Sequence, residues 1–363
     1  MTAIEAAQAI ERGMRSVFHD ARFDRCPMAD GGEGTVDAFV AGGARRHSAR
    51  VRGPLGKPVD AAFAMQDDTA IVEMAAASGL GLLTAREYDP LHADTYGTGE
   101  LLRAALEAGA TRAIVGIGGS ATNDAGTGML RALGVRFLDE FGDELDDGIV
   151  AYQKLAEIDM THLDERLDTL DIRVAVDVDN TLCGPNGASR TFGPQKGANE
   201  AQVALLDATL ERIADVAART LGRDERDTPG AGAAGGLGFA LMAFLRAKTE
   251  PGVRLIAKER GLDRLLDGAA LCATGEGKID EQTLHGKTIF GVAELAKAAG
   301  TPVVAFGGAI DARAKELLES KGIAVRPIAP AGTAAEDSMQ HAAAYLEKAA
   351  AGYAGLFERS MRA

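Results

Sequence analysis

Short apolar runs alternate with longer stretches of helical periodicity along almost the whole chain, and this alternation restricts the fold more than any other feature. Ala70–Met74, Ala113–Ile117, Arg173–Val178, Ala270–Ala273 and Val303–Phe306 have the length and apolar content of buried strands. Thr98–Ala108, Asn199–Leu221, Phe290–Ala298, Ala312–Ser320 and Ala334–Gly352 repeat apolar residues at helical spacing. Such alternation predicts an α/β architecture with mostly parallel strands, because each crossover between parallel strands needs a helix-sized connection. The chain opens on a helix: Ile4, Ala7, Ile10, Met14 and Val17 share one face of Ala3–Val17, with no strand before it. That is an unusual opening for a parallel sheet. A length of 363 residues predicts about two domains. The one shift in composition, Arg223–Gly238 (RDERDTPGAGAAGGLG), reads as an ordered glycine turn, since helical Phe239–Lys248 follows without a break.

Charge and cysteine usage narrow the function classes. The formal net charge is −14, which argues against nucleic acid or an anionic membrane as the main partner, because both demand basic patches. Cys26, Cys183 and Cys272 lie far apart and form no CxxC or Cys/His spacing. Structural zinc is therefore not expected, and a reducing, cytoplasmic location is. No apolar stretch reaches the roughly 18–20 residues of a membrane helix, and the acid-bearing N-terminus does not read as a signal peptide.

Glycine is the informative residue. It clusters with hydroxyls and carboxylates in Ala29–Thr35 (ADGGEGT), Tyr96–Glu100 (YGTGE), Gly116–Asp124 (GIGGSATND), Phe192–Gly197 (FGPQKG), Gly232–Gly238, Thr274–Asp280 (TGEGKID) and Gly286–Thr288 (GKT). Glycine lets backbone N–H groups approach an anion closely, and Ser, Thr and Lys add donors. Any one cluster is explained equally well by a tight turn. Seven, carrying Lys, Asp and hydroxyls at expected strand–helix junctions, point to an anionic substrate and a nucleotide. Phosphoryl transfer fits that pair.

Two motifs are decoys. Gly286-Lys287-Thr288 ends like a P-loop, but Glu281 stands where the first glycine of that motif belongs. Gly116, Gly118 and Ala121 form G-x-G-x-x-A after an expected strand, with Asp139 at the distance of a ribose-binding acid. This supports a rival reading, an NAD(P)-dependent oxidoreductase. Against it, the glycines run straight into Ser120, Thr122, Asn123 and Asp124, groups a dinucleotide turn does not need.

A kinase acting on an alcohol needs a metal to bridge phosphates, positive donors, and a carboxylate to orient or deprotonate the hydroxyl. Asp177 and Asp179 are expected to end a strand, Asp280 follows Lys278, and Asp30 precedes Gly31 and Gly32. Asp124 stands near a helix start, where an N-cap is the simpler role. Lys196, Lys278 and Lys287 are candidates for holding phosphate or carboxylate, although each is equally a surface lysine. The six histidines give no triad, with His285 the only one in a glycine-rich loop. No G-x-S-x-G elbow is present, so hydrolase chemistry of that type has no support.

Taken in order, Met28–Thr35, Tyr96–Leu101, Gly116–Asp124, Phe192–Ala198 and Thr274–Asp280, followed by Gly286-Lys287, resemble the glycerate kinase type 1 family. The resemblance runs from Ala3 to about Leu356. It implies a cytoplasmic transferase that uses ATP and Mg2+ to phosphorylate the organic acid D-glycerate, with 2-phosphoglycerate as the favoured product. The fold it implies is two α/β domains. A Rossmann/flavodoxin-like domain would be built from residues 1–60 and 262–363, with 61–261 as an inserted α/β domain. Asp280, Asp177, Lys278 and Lys196 are its expected catalytic residues. Asp30, Gly31, Gly32, Gly118, Gly119, Ser120, Thr122, Asn123, Asp124, Asn180, Gly275, Glu276, Gly277 and Lys287 are expected to bind nucleotide or substrate, no metal ligand being assigned. Homodimer formation is left open.

The departures from the family pattern carry expectations too. Family members usually open with a strand and an Asp-Ser-Phe-Lys-Gly segment lining the active cleft, ahead of the helix that begins here at Ala3. Without that strand an apolar seam is expected, and without that segment an active-site lysine is expected to be absent from the sequence as given, the alternatives being a start that lies further upstream or a truncated paralogue. An inactive ligand-binding paralogue is thus a further alternative. Ala125 stands where glycine is common and Thr181 where proline is usual, the alanine being expected to fit with a negative φ.

Overall fold

The computed structural model describes residues 1–281, 283 and 288–362. They divide into two compact units, one spanning Gly31–Gly252, the other combining Met1–Asp30 with Val253–Ala363.

The Gly31–Gly252 unit contains eight strands: β1 (Arg45–Arg52), β2 (Pro58–Gln66), β3 (Thr69–Glu73), β4 (Arg112–Gly116), β5 (Arg136–Leu138), β6 (Glu157–Asp159), β7 (Asp171–Ala175) and β8 (Lys248–Glu250). Its main sheet runs β1-β2-β3-β4-β7-β8, and β5 and β6 form a separate ribbon. From β3 to β8 neighbours are parallel, whereas β1, β2 and β3 pair antiparallel. Every residue of β3 is buried, and so are four of five in β4. That is why both read as unbroken apolar runs: covered on two faces, they need no polar alternation. The expected Arg173–Val178 strand stops earlier, at Ala175, leaving Asp177 and Asp179 in the loop beyond it.

The β1–β2 hairpin was invisible to apolar pattern. β1 reads RRHSARVR with one buried residue, and as an edge strand it has water on one side and charge along it. This hairpin moves the expected domain boundary. Val36 N–H donates to Glu73 at the end of β3, and β1 pairs along β2, so residues 31–60 belong with the larger sheet and not with the terminal unit.

Helix Glu200–Leu221 begins on a capping box between Asn199 and Gln202, as its sequence predicts. The glycine turn before Phe239 is ordered: Ala234, Gly235 and Gly236 all have positive φ, at 54°, 68° and 94°, and a buried helix to Leu245 follows.

The second unit carries a parallel sheet ordered β11-β10-β9, with β9 (Cys272–Ile279), β10 (Val303–Ile310) and β11 (Ile323–Pro327). Helix Ala312–Ser320 falls where expected, capped by Asp311, which accepts from Ala314 N–H at 3.0 Å. The single helix expected over Ala334–Gly352 is two, Ala335–Gln340 and Ala342–Arg362, with His341 leaving helical geometry between them. Helix Ala3–Arg15 packs tightly on Ala342–Arg362, where a Cβ on Gly13 would lie 2.1 Å from the Glu347 carbonyl. A cavity of about 610 Å³, lined by Ile10, Met14, Phe18, Leu266 and Cys272 among others, lies beside β9. None of the helices described is long and apolar enough to cross a membrane.

Candidate active site

Four parallel strands, β3, β4, β7 and β8, end at the same edge of the larger sheet, and open α/β sheets bind ligands at such carboxyl ends. The loop after β4 carries the GIGGSATND motif. Its first glycines serve close packing: a Cβ on Gly116 would lie 2.3 Å from the Gly31 carbonyl, and one on Gly118 would lie 2.9 Å from Gly32 Cα. Gly118 N–H donates to the Gly31 oxygen at 3.3 Å. Gly31 and Gly32 thus meet Gly116 and Gly118 backbone to backbone, and the Gly118 amide is spent on protein. Gly119, with φ of 74°, is exposed.

Beyond Gly119 the loop turns inward. Ser120 keeps 7% exposure, while Thr122 and Asn123 are fully buried. Lys196, 76 residues further on, enters the same interior at 2% exposure. Its Nζ donates to Ser120 Oγ and to the Thr122 carbonyl, each at 2.7 Å. Burial pushes the Lys196 ammonium down to about 7, opposed by the charge of Asp124. Asn123 Nδ2 donates to Ser189 Oγ at 2.9 Å. Thr122 Oγ1 and Asn123 Oδ1 are buried atoms without a hydrogen-bond partner among the described residues.

Asp124 is a structural hub. It accepts from Thr95 N–H at 2.9 Å and Thr95 Oγ1 at 2.8 Å, and from the N–H groups of Gly126 at 3.0 Å and Gly128 at 3.1 Å. The last of these lies in the short helix Thr127–Ala132, whose N-cap is Gly126, so Asp124 satisfies a first-turn N–H from outside the cap position instead of acting as the N-cap itself. Burial raises its carboxyl above the usual range. Behind it, Asp94 accepts from Tyr96 N–H at 3.0 Å and pairs with Arg52 at 2.8 Å, and Arg52 also reaches Asp147 at 2.9 Å. Burial, and then the nearby Asp124 charge, push Asp94 up to about 7. Asp94 and Thr95 precede helix Tyr96–Glu107, one residue outside a motif the sequence singles out; an N-cap search at that helix start finds them.

Ala125 overturns its expectation. Its φ is +53°, in the left-handed region that favours glycine, because its N–H must reach the Gly235 carbonyl at 3.0 Å. Glu73, absent from the sequence reading, is another finding. Buried at the end of β3, it accepts from Val36 N–H, so a protein carboxylate already occupies the helix start that follows Gly31–Gly34. Its carboxyl is raised by burial. The signal was a lone glutamate ending an apolar run.

After β7, Asp177 and Asp179 are exposed, and Asp177 Oδ1 accepts from Gly252 N–H at 2.9 Å. Asn180 Nδ2 donates to the Asn186 carbonyl at 2.8 Å and to Thr191 Oγ1 at 3.2 Å, holding the following turn.

The remaining expected residues belong to the terminal unit. Gly275, Glu276, Gly277 and Lys278 lie on β9 itself, not in a loop. Glycine suits this strand because a Cβ on Gly275 would approach the Phe306 carbonyl of β10 to 2.7 Å. Glu276 accepts from Thr283 Oγ1 and from Ile289 N–H, each at 3.1 Å, the latter in helix Thr288–Ala298. Lys278 is 71% exposed and pairs with Asp280 at 2.9 Å. Asp30 is half-buried. Lys287, with His285 and Gly286, lies outside the described residues.

Asp139 removes the dinucleotide reading. It turns on its own hairpin, accepting from Phe141 N–H at 2.9 Å and Asp143 N–H at 3.0 Å, beyond the short strand β5. All three cysteines are free thiols. Burial pushes Cys183 and Cys272 up to about 11. Among the described residues no group of three His, Cys, Asp or Glu side chains could hold a metal ion.

A polar, partly buried loop at the carboxyl ends of parallel strands stands where open α/β folds bind anionic ligands, and the fold is that of an α/β enzyme. The chain matches the Glycerate kinase family over residues 1–358 and belongs to that family, so it is a kinase. It is 48% identical over 353 residues to a glycerate kinase of Bacillus subtilis, covering 96% of this chain and 92% of that one. It is 50% identical over 314 residues to a glycerate 2-kinase of Escherichia coli, covering 85% and 82%. The crystal structure of a putative glycerate kinase 2 from Salmonella typhimurium superposes with a TM-score of 0.90 at 41% identity, covering 100% and 96%.

Proposed function

We propose that this protein transfers the γ-phosphoryl group of ATP to a hydroxyl of D-glycerate, giving 2-phosphoglycerate. Family membership sets the chemistry, and the observation that carries it to residues is the Ser120–Asp124 loop with Lys196 beneath it. The similar E. coli protein named glycerate 2-kinase supports the choice of product.

Phosphoryl transfer asks a protein mainly to position reactants and balance charge. Lys278, largely exposed, offers its ammonium to the phosphates or to the glycerate carboxylate, with Asp280 holding its direction. Either Asp280 or Asp177 orients the attacking hydroxyl. Gly31, Gly32, Gly118, Gly119 and Asn180 shape the backbone around the anions. Mg2+ takes oxygen ligands and is commonly held by one or two carboxylates plus phosphate oxygens; the exposed Asp179 would supply one such carboxylate. When bound it neutralises charge on the phosphates. Three free thiols support a cytoplasmic location.

Incubation with ATP and D-glycerate should yield ADP and 2-phosphoglycerate by phosphorus NMR. The 3-phosphate instead overturns the regiochemistry, and ligand binding without ADP release points to the inactive paralogue. Either Asp177→Asn or Asp280→Asn should lower kcat by about 10²-fold, in the range of a lost acid–base or positioning group. If both keep near wild-type kcat, the orienting assignment is wrong.

A further inference from the structure

Lys196 poses a chemical problem that its surroundings leave unsolved. A buried ammonium needs a counter-charge, yet among the described residues its Nζ donates to a neutral hydroxyl and a carbonyl and to no carboxylate. Asp124 is the charged group that acts on it, and that carboxylate is already taken up by four donors from Thr95, Gly126 and Gly128. Asp94 and Tyr152 both feel the charge of Asp124, each being raised by it after burial. Ser189, on helix Ala188–Phe192, brings a hydroxyl bonded to Asn123 and no charge.

An amine in this position gives up its proton near neutral pH and becomes an acceptor. Exposure then decides how it communicates with a ligand. Thr122 is fully buried and Lys196 nearly so, whereas Ser120 retains some exposure. The amine therefore reaches the outside through Ser120 Oγ, in the arrangement by which serine–lysine pairs move protons.

We infer that Ser120 and Lys196 form a relay that takes the proton from the acceptor hydroxyl, Ser120 Oγ receiving it while passing its own to Lys196 Nζ. The inference rests on the kinase reading above. As the substrate oxygen bonds to the γ-phosphorus, the bond from that phosphorus to the β,γ-bridging oxygen breaks, and its electron pair leaves with ADP. The hydroxyl proton ends on Lys196, which returns it to solvent after product release. Ser120 is the catalytic residue of the pair, and Lys196 acts through it. Lys196 is then a proton sink, in place of the phosphate clamp its sequence position brought to mind.

The test begins without substrate. Carbon-13 NMR of ε-labelled lysines in the full chain, with the Lys196 signal assigned by its loss in Lys196→Met, should show one lysine titrating near 7. Steady-state kinetics with ATP and D-glycerate should then show kcat/KM rising to a plateau through that same pH. Ser120→Ala should lower kcat about 10²-fold with KM within about threefold, and flatten the rise. Ser120→Thr, which keeps the hydroxyl, should recover most of the rate. Lys196→Arg, whose charge is permanent, should lose the pH dependence as Ser120→Ala does. Titration of Lys196 above about 9, or a Ser120→Ala enzyme with wild-type kcat and pH profile, overturns the relay. If wild-type protein releases no ADP, the kinase reading fails and takes the relay's role with it. Glycerate turnover with a lysine that titrates normally isolates failure of the relay alone.

Discussion

At the scale of single residues, the glycines changed meaning most. Read as a sequence they were anion-binding turns; in the structure many exist so that two backbones can touch. Gly235 is the sharpest case, with φ of 68° and a would-be Cβ only 2.0 Å from the Thr122 carbonyl. A side chain there would push on the segment that holds Lys196. Gly235→Ala should therefore destabilise by about 3 kcal/mol, the left-handed penalty and the steric overlap adding, measured by urea unfolding. A loss below about 1 kcal/mol would show that the loop yields easily. Ala125 makes the complementary case, a residue with a Cβ already held at positive φ. Ala125→Gly should change stability by less than about 1 kcal/mol, since relief of strain offsets lost burial and added unfolded-state entropy. Residue types at the site were legible because Lys, Ser and Asp clustered with glycine. Their partners were not: Ser120 and Lys196 are 76 positions apart, and only the folded chain brings the amine beneath the loop.

At the scale of elements, burial governs what could be read. Strands β3 and β4 were visible because both faces are covered, and helix Glu200–Leu221 because its cap and periodicity agree. β1 carries no apolar signal because it is an arginine-rich edge strand, and of β9 the expected strand Ala270–Ala273 covers only the start, because the glycines that follow usually break strands. The same burial makes the start of helix Tyr96–Glu107 sensitive to pH. Asp94 is raised to about 7, above an unfolded value near 3.9. Between those values the folded state holds a proton that the unfolded state has released. Stability from this group is thus greatest at low pH, falls as pH rises through about 4 to 7, and is level beyond. Three units set an upper bound of about 4 kcal/mol on that fall. Asp94→Asn should remove much of this slope, while Arg52 keeps its contact with Asp147. Denaturant unfolding of both proteins from pH 5 to 8 is the measurement. A wild-type-minus-variant difference that stays constant across the series would refute the assignment.

At the scale of the whole molecule, the two units differ in how well they exclude water from their sheets. In the Gly31–Gly252 unit, Ile71, Val72, Val115 and Val174 are fully covered, and β3 and β4 lie inside a continuous core. In the terminal unit, β9 is an edge strand among the described residues, and its positions from Cys272 to Lys278 are exposed or half-buried. The open pocket of about 610 Å³ beside it leaves that side of the strand less covered than the inner strands of the larger sheet. Local stability follows the density of buried apolar contact, so amides of β9 should open at lower free energy than those of β3 and β4. Hydrogen exchange followed by mass spectrometry should show peptides covering β9 exchanging about 10- to 100-fold faster than those covering β3 and β4, a difference of roughly 1.4–2.8 kcal/mol in opening. Because β9 carries Lys278 and leads directly to Asp280, bound ATP or glycerate should slow its exchange more than that of β3 or β4. Equal protection of the two sheets would mean that the cavity costs the terminal unit little. Slower exchange in β9 with ATP but not with glycerate would assign Lys278 to the nucleotide, a distinction that neither its exposure nor its pairing with Asp280 makes.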